Sequence, residues 1–318
     1  MLTILNNKIQ SWIPILTPLS VIVGVLFYQT SQDFLFLVSW LLAFMTFSSS
    51  LGLEFKDTRS LLKYPFIVIL SIIFLHIIMP VLVYFLSRFI FDDYLLTIGF
   101  VLMFAVPTGI SSVMWVNLCN GNLPLCLAII LIDSLLSPII IPGVLYISFG
   151  EIVSINVVSI LLDLIWMIVI PTFTGLLINK IVNKNVQSIL YKNIAPFAKL
   201  SLLAIVLINS SAIAPYLNDI KWQTISIIFL VFFISVSSYG VAFIICKLLW
   251  KDIHIIITFV FTGSMRNIAL GVILATTFFS PKVAMPVIFG MLFQQILASL
   301  FSKIMFRYIL KYNVSQAF

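Results

Sequence analysis

Along the chain, apolar residues gather into ten runs of roughly bilayer-spanning length, separated by short polar stretches. The runs cover about 11 to 29, 34 to 51, 65 to 87, 94 to 118, 123 to 149, 152 to 178, 195 to 215, 223 to 246, 253 to 279 and 284 to 302. A membrane helix needs about 20 predominantly apolar residues, so each run predicts one span. Two runs carry polar, helix-loosening residues at mid-span. The fourth contains Pro107-Thr108-Gly109-Ile110-Ser111-Ser112, and the ninth contains Thr262-Gly263-Ser264-Met265-Arg266-Asn267. Irregular backbone at that depth is tolerated only where it is buried in protein or lines a cavity. An Arg there costs roughly 2.5 to 3.5 kcal/mol on insertion scales and by default marks a ligand or ion pathway.

Ten spans divide into two sets of five, and an odd number per half forces the second half to enter the membrane from the opposite side. The interruptions hold the same rank in each half, the pattern of inverted-repeat transporters. The expected fold is therefore all-α and polytopic, one transmembrane transporter domain over 1–318 with repeats of about 1–150 and 151–318. Spans four and nine are expected to be broken and to cross. Pro14, Pro18, Pro80, Pro138, Pro142 and Pro171 also fall within spans, and most are read as kinks.

Composition narrows the class. Hydrophobic residues make up 62% and charged residues 8%, against about 25% charge in soluble domains. Nearly the whole chain is used by spans, which leaves no room for a soluble catalytic domain. The net charge of +7 does not point to nucleic acid, because thirteen of the seventeen cations fall on one side of the ten-span arrangement. Only Arg88, Lys221 and Lys282 fall on the other, and Arg266 lies within the membrane. The positive-inside rule then puts both termini in the cytoplasm. Lys8 precedes an apolar run with no small-residue cleavage site, so the first helix is read as uncleaved. Cys119, Cys126 and Cys246 are scattered in apolar contexts, unlike the clustered ligands of a metal site.

The order and spacing of several short motifs resemble the bile acid:sodium symporter family over nearly the whole chain. These are Leu51-Gly52-Leu53-Glu54-Phe55 with Pro65, Met79-Pro80, the Pro107 to Ser112 stretch with Asn120-Gly121-Asn122, Ser134-Leu135-Leu136-Ser137-Pro138, and Gly263-Ser264-Met265-Arg266-Asn267. The resemblance implies import of organic anions with two sodium ions, held by polar groups around the two crossing helices. This sequence departs from that sodium chemistry. Thr262 stands where symporters have a carboxylate, Arg266 where they have Gln, Val113 where they have Asn, and Leu75 where they have another Gln. Hard cations need several oxygen ligands, so two ordinary sodium sites are not expected.

The residues expected to bind substrate or ion are Thr108, Ser111, Ser112, Asp133, Thr262, Ser264, Arg266 and Asn267. Arg266 could replace a sodium ion and fix the crossing, pair with an anionic substrate, or cap helix carbonyls. Asp133 is expected to pair with Arg266, since such charges at ~4 Å attract by about 4 kcal/mol at an effective dielectric of ~20. A proton-carrying role for Asp133 stays open. His76 is read as a hydrogen-bonded interior residue, Asp163 as facing either an interface or the cavity, and Gln294 and Gln295 as bridging helices or touching substrate.

The expectation is a secondary active transporter of a small or amphipathic organic anion, working by alternating access in the cell membrane. No resident cofactor, catalysis or nucleic-acid partner is expected; proton coupling stays open, and a monomer is compatible with the sequence. An arsenite exporter would carry a reactive Cys in the broken fourth span, where this chain has Pro107-Thr108. A channel or sensor in the same fold is the remaining alternative.

Overall fold

The structure, a computed structural model, describes residues 2–52, 63–150, 156–214 and 222–316. Leu53, Glu54 and Phe55 of the second-span motif, and the cations Lys56, Arg59 and Lys221, lie outside the described residues.

Among the described residues the chain is helical apart from short connections. The main helices are α1 (Leu2–Leu26), α2 (Leu35–Ser50), α3 (Pro65–Phe91), α4 (Tyr94–Ala105), α5 (Ser112–Leu118) and α6 (Leu123–Phe149). After them come α7 (Val157–Ile181), α8 (Lys184–Ser210), α9 (Trp222–Leu249), α10 (Ile253–Ser264), α11 (Ile268–Phe278) and α12 (Pro281–Gln316). Six of these, α3, α6, α7, α8, α9 and most of α12, are each long and apolar enough to cross a membrane. Large apolar side chains remain on their outer faces, for example Phe89 at 90% and Ile147 at 86% exposure. In water such surface would be a liability, whereas lipid is the solvent it suits.

Helix starts are set by short polar side chains that accept from the otherwise orphaned first N–H groups. Asp93 accepts from Leu95 and Leu96 N at the start of α4, and Asn122 from Leu125 N at the start of α6. Asn156 does the same for α7, Asp252 for α10 and Asn267 for α11. Two helices differ in length from the apolar runs, since α8 begins at Lys184 and α12 continues to Gln316. Hydropathy marks where lipid ends, but a helix continues beyond it wherever its backbone hydrogen bonds do.

Pro80 and Pro171 do more than kink their helices. A widened π-helical turn precedes each, at Phe74–Ile78 in α3 and Ile165–Val169 in α7. In that register Met79 N–H bonds to Phe74 O, and the donor that Leu75 O would expect next is Pro80, which has none. Leu75 is thereby left with a carbonyl free for another partner.

Helix contacts sort the chain into two sets. α1 packs on α8, α8 on α2 and α2 on α7, while α3, α4 and α12 pack together with α9, α10 and α11. Gly24 sits where a Cβ would lie 2.0 Å from Leu207 O, so α1 and α8 touch backbone to backbone. Small residues let membrane helices approach in this way.

Candidate functional site

The two interrupted helices meet. α4 ends at Ala105 because Val106 turns extended (φ −67°, ψ 150°) ahead of Pro107, as the residue before a proline prefers. α10 ends at Ser264, and Met265 is likewise extended (φ −96°, ψ 118°). Between the broken ends, Thr108 and Arg266 form a short antiparallel bridge. Gly109 N donates to Met265 O at 2.9 Å, and Asn267 N donates to Pro107 O at 2.7 Å. Each unwound strand thus satisfies backbone groups of the other that lipid could not. The approach requires glycine, since a Cβ on Gly109 would stand 2.6 Å from Arg266 O.

Side chains lock the bridge. Thr108 Oγ1 donates to Thr262 O at 3.0 Å, and Thr108 N donates to Asp133 Oδ2 at 2.6 Å. The other carboxylate oxygen of Asp133 lies 2.5 Å from His76 Nε2. His76 reaches it from the widened turn of α3, and both side chains are almost wholly buried. Gln294 Oε1 accepts from Arg266 N at 2.9 Å.

Arg266 is 1% exposed and heads the largest fully buried side chains. Its Nη1 donates to Leu75 O at 3.3 Å, the carbonyl that Pro80 leaves without a helical donor. The Phe104 ring faces the guanidinium, 5.6 Å from Cζ to centroid, a cation–π arrangement. The direct Arg266–Asp133 pair expected from the sequence does not form. Asp133 is close enough for its charge to be felt by Arg266, yet its oxygens bond to His76 and Thr108 N. The reason lies in the widened turn, which swings His76 toward α6 and gives Arg266 a carbonyl instead.

A cavity of about 630 Å³ runs from this crossing to the Lys184–Lys199 part of α8. It lies between the two helix sets, with Thr46, Ser49 and Ser50 of α2 on one wall and Ile110, Ser111 and Met114 on the other. Its volume falls in the range of small-molecule sites, and its lining, in which amides and hydroxyls are about as numerous as methionine, leucine, isoleucine and other apolar residues, fits a ligand with both an apolar body and polar groups. Of the residues expected to bind, Ser111, Asn267 and Arg266 line this cavity. Thr108, Ser112, Asp133 and Thr262 are buried in the crossing beside it, Thr262 Oγ1 turning back to Thr258 O at 2.7 Å. Ser264 faces a separate, much smaller cavity. Asp163 is half-buried on α7 and does not line the large cavity.

Asn117, Gln187, Tyr191, Gln294 and Gln295 also line the cavity. Only the two adjacent glutamines stood out in the sequence, because a polar residue near the end of an apolar run is ordinary. Gln295 is held by Trp115, whose Nε1 donates to its Oε1 at 3.3 Å. The Asn120-Gly121-Asn122 turn is structural: Asn120 takes the left-handed conformation (φ 56°), and its carbonyl lies 2.5 Å from His254 Nδ1.

The sodium bile acid symporter family model matches residues 39–220, more than half of the chain. The chain belongs to that family. It is 42% identical to "Uncharacterized protein YbaS" of Bacillus subtilis (strain 168), over 96% of this chain and 100% of that protein. It is 25% identical to "Uncharacterized sodium-dependent transporter YocS" of the same organism, over 79% of each chain. With "Probable sodium/metabolite cotransporter BASS2, chloroplastic" of Oryza sativa subsp. japonica it shares 23% identity over 88% of this chain and 67% of that protein. The family consists of transporters, so this member is a multi-pass membrane transporter that handles a small-molecule substrate.

Proposed function

We propose that the protein is a secondary active carrier of a small or amphipathic organic anion, one that works without the sodium its family is named for. The observation that carries the sodium half of this reading is Arg266. Its guanidinium lies at the crossing, bonded to the Leu75 carbonyl and facing Phe104. A covalently fixed cation in that place does what a bound sodium ion would otherwise do, holding the unwound segments against α3. Because it cannot leave, it cannot couple transport to a sodium gradient. Thr262 offers only a hydroxyl already bonded within its own helix.

The large cavity supports the carrier half. It ends on the crossing, is lined by apolar and polar side chains in nearly equal number, and places Lys184 and Lys199 at its far end. An anion with an apolar body would enter past those lysines and reach Ser111, Asn267 and the two glutamines. The two helix sets and the paired breaks support a single domain of ten spans, two inverted repeats with helices four and nine crossing. One set would rock against the other to alternate access. With thirteen cations on the α8 side, both termini are cytoplasmic and the cavity opens inward in the cell membrane. With sodium set aside, the carrier draws on a proton or a substrate gradient as its energy source. A library of organic anions screened by thermal stabilisation should identify ligands, whose binding changes less than about twofold when choline replaces sodium at constant pH. Steep sodium dependence with a Hill coefficient near two would refute the reading.

A further inference from the structure

A second, much smaller cavity of about 10 Å³ lies against Arg266 at the crossing and shares Arg266, Ile268 and Gln294 with the lining of the large cavity. It has room for one particle of about the size of a water molecule. Ser235 and Tyr239 of α9, Ser264 at the end of α10, and Arg266 all line it. All four are buried, at 9%, 1%, 9% and 1% exposure. Ser235 Oγ, Tyr239 OH, Ser264 Oγ and both Nε and Nη2 of Arg266 find no hydrogen-bond partner among the described residues. Five buried polar atoms without partners at one small cavity is unusual, because buried polar groups are nearly always hydrogen-bonded.

The chemistry of these atoms selects what belongs there. Arg has N–H donors and no acceptor, and each hydroxyl can turn its hydrogen toward the cavity. Among the described residues no carboxylate lines the cavity, and the one side-chain carbonyl that does, Gln294 Oε1, is taken by Arg266 N. The nearby Asp133 is committed to His76 and Thr108. A fixed cation ringed by donors therefore faces a one-particle space. A water molecule can accept only about two hydrogen bonds, whereas a monatomic anion can accept all of them, and its charge is attracted to the guanidinium through a low-dielectric interior.

We propose that this cavity binds a single small halide, chloride under ordinary conditions, which completes the coordination of Arg266 and stabilises the crossing. The inference does not depend on the carrier reading, because it concerns atoms that do not line the substrate cavity, Arg266 apart. Tyr239 is well placed to test it, since its ring is held by stacking on Phe301 (centroids 4.3 Å apart) and edge-on by Phe261. Removing its hydroxyl leaves the packing in place.

The experiment is thermal melting of the purified full chain in chloride, bromide or methanesulfonate salts at constant ionic strength and pH, each with sodium and with choline. Chloride and bromide should raise the melting temperature saturably by several degrees, whichever cation accompanies them, while methanesulfonate, too large for the space, should not. Tyr239→Phe and Ser264→Ala should each raise the half-saturating chloride concentration about tenfold, one hydrogen bond to an ion. Arg266→Gln should abolish the response, and if that variant does not fold the two hydroxyl variants decide alone. Crystals grown in bromide should show an anomalous peak beside Arg266. Equal melting in chloride and methanesulfonate, an unchanged chloride response in both hydroxyl variants, or a bromide peak elsewhere would each overturn the proposal.

Discussion

Asp133 offers the sharpest test of how the crossing is held. Its carboxyl group joins three segments at once, with His76 of α3 on one oxygen and the unwound Thr108 N on the other. Replacing it with Ala removes both carboxylate acceptors, so Thr108 N and His76 Nε2 each lose the partner they have. A buried polar group left unmade costs about 1 to 3 kcal/mol, and breaking a buried pair costs up to about 3 to 5. Asp133→Ala should therefore destabilise by about 2 to 4 kcal/mol. His76→Leu removes the other partner, and in a double-mutant cycle the direct contact should give a coupling of about 1 to 3 kcal/mol. The same cycle with Arg266→Gln should give a clearly smaller coupling, because Arg266 bonds to Leu75 O and acts on Asp133 only through space. At about 2 °C per kcal/mol for a chain of this length, melting in detergent should show non-additivity of about 2 to 6 °C for the 76–133 pair. Additivity for that pair, with strong coupling between 133 and 266, would refute the arrangement and restore the guanidinium–carboxylate pair.

Other expectations follow from the same geometry. Gly109→Ala should prevent a stable fold, because its Cβ would meet Arg266 O at 2.6 Å, whereas Gly143→Ala and Gly240→Ala, with nothing within 4 Å, should be neutral or stabilise by up to about 1 kcal/mol when melting curves are compared. Reporter fusions after Lys192 and after Lys221 should give opposite signals, and matching signals would sink the ten-span topology. At the loop end of α4, burial opposes ionisation of Asp93, but the Lys282 ammonium and the Leu95 and Leu96 N–H groups outweigh it and hold its carboxyl below the ordinary 3.8. A lowered folded value means stability present above that pH and lost as pH falls through it. The stability difference between the parent and Asp93→Asn should accordingly be constant near neutrality and vanish under strong acid, as read by melting across pH.

Much of this protein was fixed by its sequence alone, because lipid imposes a simple rule. Every backbone group must be satisfied within the protein, so apolar runs of spanning length become helices, and polar interruptions within them must face protein or a cavity. The stretches 107 to 112 and 262 to 267 could be singled out on that ground, as could the burial of Arg266 and Asp133. Which partners those residues take was decided only by the tertiary structure. The pairing of Asp133 with His76 depends on a widened turn ahead of Pro80, and a proline in a membrane helix is common enough that its sequence does not reveal whether it kinks, widens or frees a carbonyl. The freed Leu75 carbonyl and the small cavity against Arg266 arise from segments about 190 and 30 residues distant from it in the chain. Hydrophobic periodicity reports which solvent a residue meets. It carries no information on which polar group will be within 3 Å, since hydrogen bonds are short, directional and set by how the helices pack.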